Sequence, residues 1–201
     1  MIQRYDQAGP RYTSYPTAME LNPRVDHALE QRLLKTPGEK PLSLYIHIPF
    51  CRELCYYCGC NKIVTHSNER AATYVANLYR EIELKAAMLA PEGTAPPKVV
   101  EQIHLGGGTP TFLSDAQLYD LMTTLRRHFR LSELSTRDFS IEIDPRSLRE
   151  NTLKVLREAG FNRLSFGIQD MDIRVQTAIN RIQPASLIEK VMRESRQLGF
   201  R

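Results

Sequence analysis

Four short segments in which apolar and polar residues alternate constrain the fold of this chain most strongly. The alternation predicts β-strands over residues 42–48, 99–105, 138–143 and 163–169. Segments with helical periodicity lie between and after these strands. Because β-strands that alternate with helices form parallel sheets, the predicted fold class is α/β with four β/α units, in a sheet that is either open or closed into a barrel.

Apolar residues recur at helical spacing in the two longest segments between the strands. The first set is Ala71, Val75, Leu78, Ile82 and Leu89, and the second is Leu118, Leu121, Met122, Leu125 and Phe129. Capping-box pairs predict helix starts at Ser114/Gln117, Ser147/Glu150 and Ser186/Glu189, and Gly160 and Gly199 stand where helices are expected to end.

Each predicted strand has one apolar and one polar face. The apolar face comprises Leu42, Leu44, Ile46, Ile48, Ile103, Leu105, Phe139, Ile141, Ile143, Leu164, Phe166 and Ile168. The polar face comprises Ser43, Tyr45, His47, Gln102, His104, Ser140, Glu142, Arg163, Ser165 and Gln169. Because closed barrels ordinarily fill their interior with apolar side chains, this arrangement predicts a cavity for a polar ligand. The alternative is that the polar residues face solvent on a two-layer sheet.

Length and composition fit one sizeable core, since the chain has 201 residues, of which 42% are hydrophobic and 25% charged. The proline-rich start predicts an irregular arm over residues 1–40, with at most a short helix over 25–34, followed by a partial barrel over 41–201. A run of about 18 apolar residues and an export signal are both missing, which predicts a cytoplasmic protein that does not enter the membrane. The net charge of +4 is spread along the chain, which argues against nucleic acid as a partner.

A short internal repeat bears on the extent of the barrel. The helix-to-strand boundary in residues 156–165 is echoed by residues 196–201, so a fifth strand is expected directly after Arg201. An open strand edge exposes backbone groups and apolar surface. We therefore expect the 201-residue piece alone to be inactive and prone to aggregation.

All four cysteines, Cys51, Cys55, Cys58 and Cys60, directly follow the first predicted strand. Such clustering in a reducing compartment indicates metal or redox chemistry, and α/β proteins place active sites at this end of their strands. Structural zinc ordinarily uses two separated Cys/His pairs, and thioredoxin-like sites use one isolated C-x2-C pair. Three thiols spaced C-x3-C-x2-C favour an iron–sulfur cluster with one iron open to a non-protein ligand, with structural zinc as the alternative.

Three consecutive glycines, Gly106, Gly107 and Gly108, end the second predicted strand and precede Thr109. The segment has neither the Lys-Ser/Thr of a phosphate-binding loop nor the G-x-G-x-x-G spacing. Glycines at a strand end also form ordinary turns. Beside the cysteine loop, however, they would let the backbone approach a charged cofactor closely.

The C-x3-C-x2-C spacing after a first strand resembles the radical S-adenosylmethionine superfamily. Residues 44–65, which contain the cysteines, and residues 9–17 resemble the oxygen-independent coproporphyrinogen III oxidase family in particular. The resemblance runs from about Tyr5 to Arg201 and covers the N-terminal part of that longer enzyme. It implies a barrel of six β/α units, of which four are represented and which is cut before strand five.

The resemblance also implies a cofactor-binding set. Cys51, Cys55 and Cys58 would bind a 4Fe-4S cluster, whose fourth iron would take the amino and carboxylate groups of S-adenosylmethionine. Cys60 would not be a ligand, although the family characteristically has it, and its alternative interpretation is a small buried thiol.

Two S-adenosylmethionine molecules per site are implied. Tyr45, Gly107 and Glu142 match positions on the first molecule, and Tyr57, Gly108, Thr109, Gln169 and Arg181 match positions on the second. Many relatives have Phe in place of Tyr57. The alternative for Glu142 and Arg181 is an ordinary exposed side chain. His47 and His104 are expected to face the same cavity, and Arg11 and Tyr12 would lie near the substrate.

The reaction implied is oxidative decarboxylation of coproporphyrinogen III to protoporphyrinogen IX. A 5′-deoxyadenosyl radical made from S-adenosylmethionine would take a hydrogen from a propionate, and loss of carbon dioxide and one electron would leave a vinyl group, twice per substrate. An unidentified electron donor is required, and the full-length protein is expected to be a monomer. The alternatives are a haem chaperone of the same superfamily, which typically lacks Cys60 and the motif at residues 11–16, and a non-catalytic metal-binding module.

Overall fold

A parallel sheet forms the centre of the structure, a computed structural model that describes residues 20, 24, 26–35, 40–89 and 98–201. The strands are β1 (Leu42–Ile48), β2 (Phe50–Cys51), β3 (Ile63–Val64), β4 (Val99–Gly107), β5 (Arg130–Leu131), β6 (Asp138–Ile143) and β7 (Arg163–Phe166). The main sheet has the order β1-β4-β6-β7 with every pair parallel, and the short β5 also pairs with β4. The α/β class with a parallel sheet is thus confirmed.

The described helices are α1 (His27–Lys35), α2 (Asn68–Leu89), α3 (Asp115–His128), α4 (Thr152–Ala159), α5 (Ile173–Ala178) and α6 (Ala185–Gln197). Of these, α2, α3 and α4 lie between successive strands of the main sheet, and α5 and α6 follow β7. Short 3-10 turns at Pro110–Phe112 and Pro145–Ser147 follow β4 and β6. Among the described helices, none is long and apolar enough to cross a bilayer.

Pairing with neighbours determines where the strands end. β1 and β6 have the predicted limits. β4 extends two residues beyond the prediction because Gly106 and Gly107 pair with His47 and Ile48. β7 ends at Phe166 rather than Gln169, since Phe166 is already paired with Ile143, the last residue of β6.

Only one of the three predicted capping boxes forms. Ser114 and Gln117 cap α3 reciprocally, as predicted. The predicted start at Ser147 is wrong: its hydroxyl donates to the Asp144 carbonyl within a 3-10 turn, and α4 begins five residues later at Thr152. The predicted start at Ser186 is also wrong, because α6 begins at Ala185 after Pro184.

Two glycines end helices as the sequence predicts. Gly160 follows α4 with φ of 105°, and Gly199 lies just after α6 with φ of 75°. Both are left-handed conformations that side chains with a Cβ rarely adopt.

The predicted apolar strand face forms the core together with α2, α3 and α4. Its buried members are Ile46, Ile48, Ile103, Leu105, Phe139, Ile141 and Ile143, and they join one cluster with Leu118, Leu121, Met122 and Leu125 of α3. Leu164 and Phe166 at the edge of the sheet are half-buried. Full burial of each large side chain contributes about 1.5–3 kcal/mol, so this face fixes which way the polar face points.

The chain divides into the units Met1–Thr36 and Pro37–Arg201. In the first, the Asp26 side chain accepts a hydrogen bond from the Leu29 amide at the start of α1, within the predicted short helix. Arg11 and Tyr12, and the motif at residues 9–17, lie outside the described residues, and the predicted boundary at residue 40 stays a prediction.

The edge of β7 that β6 does not cover is paired with the last residue of the chain. The Arg201 amide donates to the Asn162 carbonyl at 3.0 Å, and the Leu164 amide donates to the Arg201 carbonyl at 3.1 Å. Arg201 therefore occupies the pairing position of a neighbouring strand.

Candidate active site

A two-residue ladder closes the cysteine loop at the carboxyl end of β1. Phe50 pairs with Ile63 and Cys51 with Val64, both in parallel register. The Ile63 amide also donates to the Pro49 carbonyl at 2.7 Å. The ladder joins the two ends of the loop, so the four cysteines project from one small closed unit. Strands of two residues have no detectable periodicity, which is why the sequence did not predict them.

The glycines that end β4 pack directly against this loop. The Gly108 amide donates to the Ile48 carbonyl at 2.9 Å, and the Thr109 amide donates to the Phe50 carbonyl at 2.8 Å. A Cβ on Gly108 would lie 2.7 Å from the Pro49 oxygen. Gly107 has φ of +115°, and a Cβ there would lie 2.6 Å from the His47 ring. Packing within the protein is therefore one reason for glycine at positions 107 and 108. The close approach of a cofactor, which the sequence suggests, is a second reason.

Most of the predicted cofactor residues line one cavity of about 360 Å³, which we term the main cavity. Its lining includes Tyr57, Gly107, Gly108, Thr109, Glu142, Gln169 and Arg181, together with Cys58 and Cys60. Cys51 and Cys55 line a smaller neighbouring cavity of about 140 Å³, and Thr109 and Asp144 line both. Of the predicted set, Tyr45 lies outside both cavities, and 60% of its surface is exposed.

Side chains on the polar face of the sheet form two hydrogen-bonded groups, which the stacked rings of Tyr45 and His104 connect. The Tyr45 hydroxyl lies 3.1 Å from His47 Nδ1, and the Tyr45 ring stacks on His104 with centroids 5.8 Å apart. His104 bridges Ser140 Oγ at 2.8 Å and Glu142 Oε1 at 3.4 Å. The second Glu142 oxygen accepts a hydrogen bond from the Gly107 amide at 3.3 Å. Two hydrogen bonds hold the Glu142 carboxylate while 45% of its side chain stays exposed, so its role toward a cofactor stays a prediction.

Two arginines and one aspartate surround Cys55, the only buried cysteine of the four. Arg181 Nη1 lies 3.4 Å from Cys55 Sγ and 3.1 Å from Asp144 Oδ2. Arg146 Nη2 lies 4.0 Å from the same sulfur and 2.7 Å from the same carboxylate oxygen. Arg181 is only 9% exposed, so the alternative of an ordinary exposed arginine is wrong.

The surroundings of Cys51 and Cys60 disfavour ionisation of these two thiols. Burial raises the pKa of Cys51, and the nearby Cys58 and Cys55 raise it further, against the lowering effects of Thr109, which donates to Cys51 Sγ at 3.6 Å, and of Lys62. Partial desolvation, and then Cys58, raise the pKa of Cys60. Because iron supplies positive charge that stabilises thiolates, this environment is compatible with thiols that ionise on metal binding.

Cys60 itself is exposed, so its interpretation as a small buried thiol is wrong. Lys62 tightens this part of the loop, because its ammonium donates to the Cys58 carbonyl at 2.9 Å.

The donor set fits a 4Fe-4S cluster in its chemistry. Soft thiolates are the ordinary ligands of such clusters, and Cys51, Cys55 and Cys58 stand near each other in one loop beside the main cavity. Among the described side chains, no group of three or more His, Cys, Asp or Glu residues is arranged to hold a metal ion.

The sequence patterns did not indicate Arg146, which lies 4.0 Å from the Cys55 sulfur, or Asp144, which binds Arg146 and lines the same cavity as Cys55. The available signal was their position directly after β6, at the carboxyl end of a parallel strand, where active-site residues concentrate. Gln183 was missed as well, and its amide donates to Asp144 Oδ1 at 3.2 Å. Gln183 lies far from the strands in sequence, so no local pattern could have indicated it.

Comparison with known proteins finds chains similar to this one. Oxygen-independent coproporphyrinogen III oxidase of Pseudomonas aeruginosa is 47% identical over all of this chain and 43% of its own length. The protein of the same description from Escherichia coli is 45% identical over all of this chain and 42% of its own length. This chain thus spans less than half the length of these relatives.

A solved structure, coproporphyrinogen III oxidase from Escherichia coli, a Radical SAM enzyme, superimposes with a TM-score of 0.85. It is 43% identical and covers 94% of this chain, while this chain covers 42% of it. The Radical SAM superfamily itself matches residues 45–201, from β1 to the last residue. The chain belongs to the Radical SAM superfamily.

Proposed function

We propose that this chain is the cofactor-binding part of an oxygen-independent coproporphyrinogen III oxidase. The observation that carries the proposal is the cysteine loop, which is closed on the glycines of β4 and borders a cavity with Glu142 and Arg181 in its lining. The substrate assignment rests on the relatives, which are up to 47% identical and carry that name.

Membership of the superfamily implies a 4Fe-4S cluster and S-adenosylmethionine. When bound, the cluster and S-adenosylmethionine would supply the radical chemistry needed to take a hydrogen from a propionate of coproporphyrinogen III. Cys51, Cys55 and Cys58 would hold the cluster, while the sheet holds their loop in place.

Residues of the polar face would bind and orient the first S-adenosylmethionine. The Glu142 carboxylate is fixed by His104 and the Gly107 amide, so its free acceptor positions suit ribose hydroxyls or an ammonium group. Tyr45 would cover the same molecule from β1.

A second S-adenosylmethionine is part of the proposal and would contact Tyr57, Gly108, Thr109, Gln169 and Arg181. All five line the main cavity. The Arg181 guanidinium already donates to the Gly167 carbonyl at 2.8 Å and pairs with Asp144, so it would bring a fixed rather than a mobile charge to that molecule.

The proposal extends to the setting of the reaction. We place it in the cytoplasm, in a monomer supplied by an electron donor of unknown identity, with residues 1–40 as an arm and 41–201 as part of the barrel. Neither a membrane nor a nucleic acid is required.

Anaerobic reconstitution of the full-length protein with iron and sulfide tests the assignment. We expect a brown protein with four iron and four sulfide ions per chain in the cluster. With reductant and S-adenosylmethionine it should convert coproporphyrinogen III to protoporphyrinogen IX and release carbon dioxide. Replacement of Cys51, Cys55 or Cys58 by Ser should abolish cluster binding, whereas Cys60→Ser should retain it.

Other outcomes would identify a different function. Stoichiometric haem binding without decarboxylation would indicate a haem chaperone. One zinc ion and no acid-labile sulfide would indicate a structural metal module.

A further inference from the structure

Asp144 organises the charges beside the cysteine loop. Its side chain is 9% exposed and accepts hydrogen bonds from Arg146 Nη2, at 2.7 Å, and from the Gln183 amide. It also forms an ion pair with Arg181 at 3.1 Å. Burial alone would raise the pKa of Asp144, but the hydrogen bonds from Arg146 and the positive charges of Arg181 and Arg146 outweigh burial and lower it. The carboxylate therefore remains ionised and holds both guanidinium groups in place.

The two guanidinium groups bring a net positive charge to Cys55. Arg181 and Arg146 approach its sulfur to 3.4 Å and 4.0 Å, and Asp144 neutralises one of the two charges. Arg146 Nη1 also lies 3.1 Å from Glu53, but the Glu53 side chain is 58% exposed, so solvent screens its charge.

We propose that Arg146, held by Asp144, is an electrostatic partner of the Cys55 sulfur that raises the reduction potential of the cluster bound there. The inference rests on the proposed function, since it requires a cluster on Cys55. Reduction adds a negative charge to a cluster, and a positive charge or hydrogen bond at a ligand sulfur stabilises the reduced form. Arg146 does not line the main cavity, where the proposed cofactor residues lie, so its effect on the cluster can be separated from S-adenosylmethionine binding.

The test is a redox titration of the reconstituted full-length protein, followed by EPR without S-adenosylmethionine. Arg146→Gln removes the positive charge, and Arg146→Lys keeps the charge but lacks the planar guanidinium group that binds a carboxylate with two hydrogen bonds. Arg174→Gln is the matched control, because Arg174 pairs with Asp172 at the surface and its side chain is 87% exposed. We expect Arg146→Gln to lower the one-electron reduction equilibrium constant about tenfold, a shift of about 59 mV to more negative potential. Arg146→Lys and Arg174→Gln should stay close to the unchanged protein.

The outcomes separate this inference from the proposed function. If the protein without substitutions takes up no iron and sulfide, both the proposed function and this inference are wrong. A full cluster with unaltered potential in Arg146→Gln overturns the inference alone. If Arg146→Gln loses its cluster, Arg146→Lys decides: a retained cluster of near-normal potential supports the role of the charge, and loss of the cluster there too refutes it.

Discussion

Gly108 allows β4 to contact the cysteine loop, and its replacement by Ala should separate the two. The added Cβ would lie 2.7 Å from the Pro49 oxygen and 2.8 Å from the Phe50 oxygen, both backbone atoms that cannot rotate away. Relief requires β4 to move away from the loop, which lengthens the hydrogen bonds from the Gly108 and Thr109 amides. Overpacking of this kind costs about 1–3 kcal/mol. We therefore expect Gly108→Ala to lower the free energy of unfolding by about 2 kcal/mol.

Urea unfolding followed by circular dichroism measures this difference. Gly59→Ala is the matched control, because a Cβ on Gly59 meets no atom within 4 Å although the residue lies in the same loop. Its stability should stay within about 0.5 kcal/mol of the unchanged protein. If Gly108→Ala and Gly59→Ala unfold at the same urea concentration, the close packing of β4 on the loop is not as described.

Three further predictions concern the helices, the buried carboxylate and the core. Ser114→Ala should lower the free energy of unfolding by about 1 kcal/mol because a capping box is lost. Ser186→Ala should have almost no effect, and equal effects of the two substitutions would contradict the described helix starts. Asp144→Asn leaves buried guanidinium charge uncompensated and should cost about 3 kcal/mol near neutral pH. Because the folded-state pKa of Asp144 is lowered, its contribution is complete above the ordinary aspartate pKa of about 3.9 and is lost as the pH falls through the folded-state value. Urea unfolding at several pH values should therefore show a difference that shrinks below about pH 4, and a constant difference would refute the assignment. Leu121→Ala, at a fully buried position, should cost about 2–5 kcal/mol by the same assay, and a cost near zero would show that this residue is not in the core.

Local patterns sufficed to predict the main strands. The alternation in residues 42–48 and 138–143 identified β1 and β6 to the residue, since both strands bury one face and leave the other polar. The ends of β4 and β7 were not predictable in the same way, because a strand extends only as far as its neighbour offers partners. The helix start predicted at Ser147 failed because a 3-10 turn capped by Asp144 takes its place, and the one predicted at Ser186 failed because the helix already begins after Pro184.

The candidate site was likewise predictable from the sequence only in part. The sequence indicated the cysteine loop and the glycines of β4, because unusual residues there are close together along the chain. It did not indicate that Asp144 and Arg146 border Cys55, since more than eighty residues separate them from it and only the adjacent positions of β1, β4 and β6 bring them together.

By itself, the sequence determined the kind of chemistry and the class of fold. The spacing of Cys51, Cys55 and Cys58 is a covalent property of the chain, and side-chain alternation requires no knowledge of neighbours. Only the tertiary structure decided which charges surround the thiols, that Cys60 is exposed, and that Gly107 and Gly108 are constrained by protein contacts. Electrostatic and steric effects depend on distance in space, and the pairing of parallel strands joined by long crossovers sets that distance.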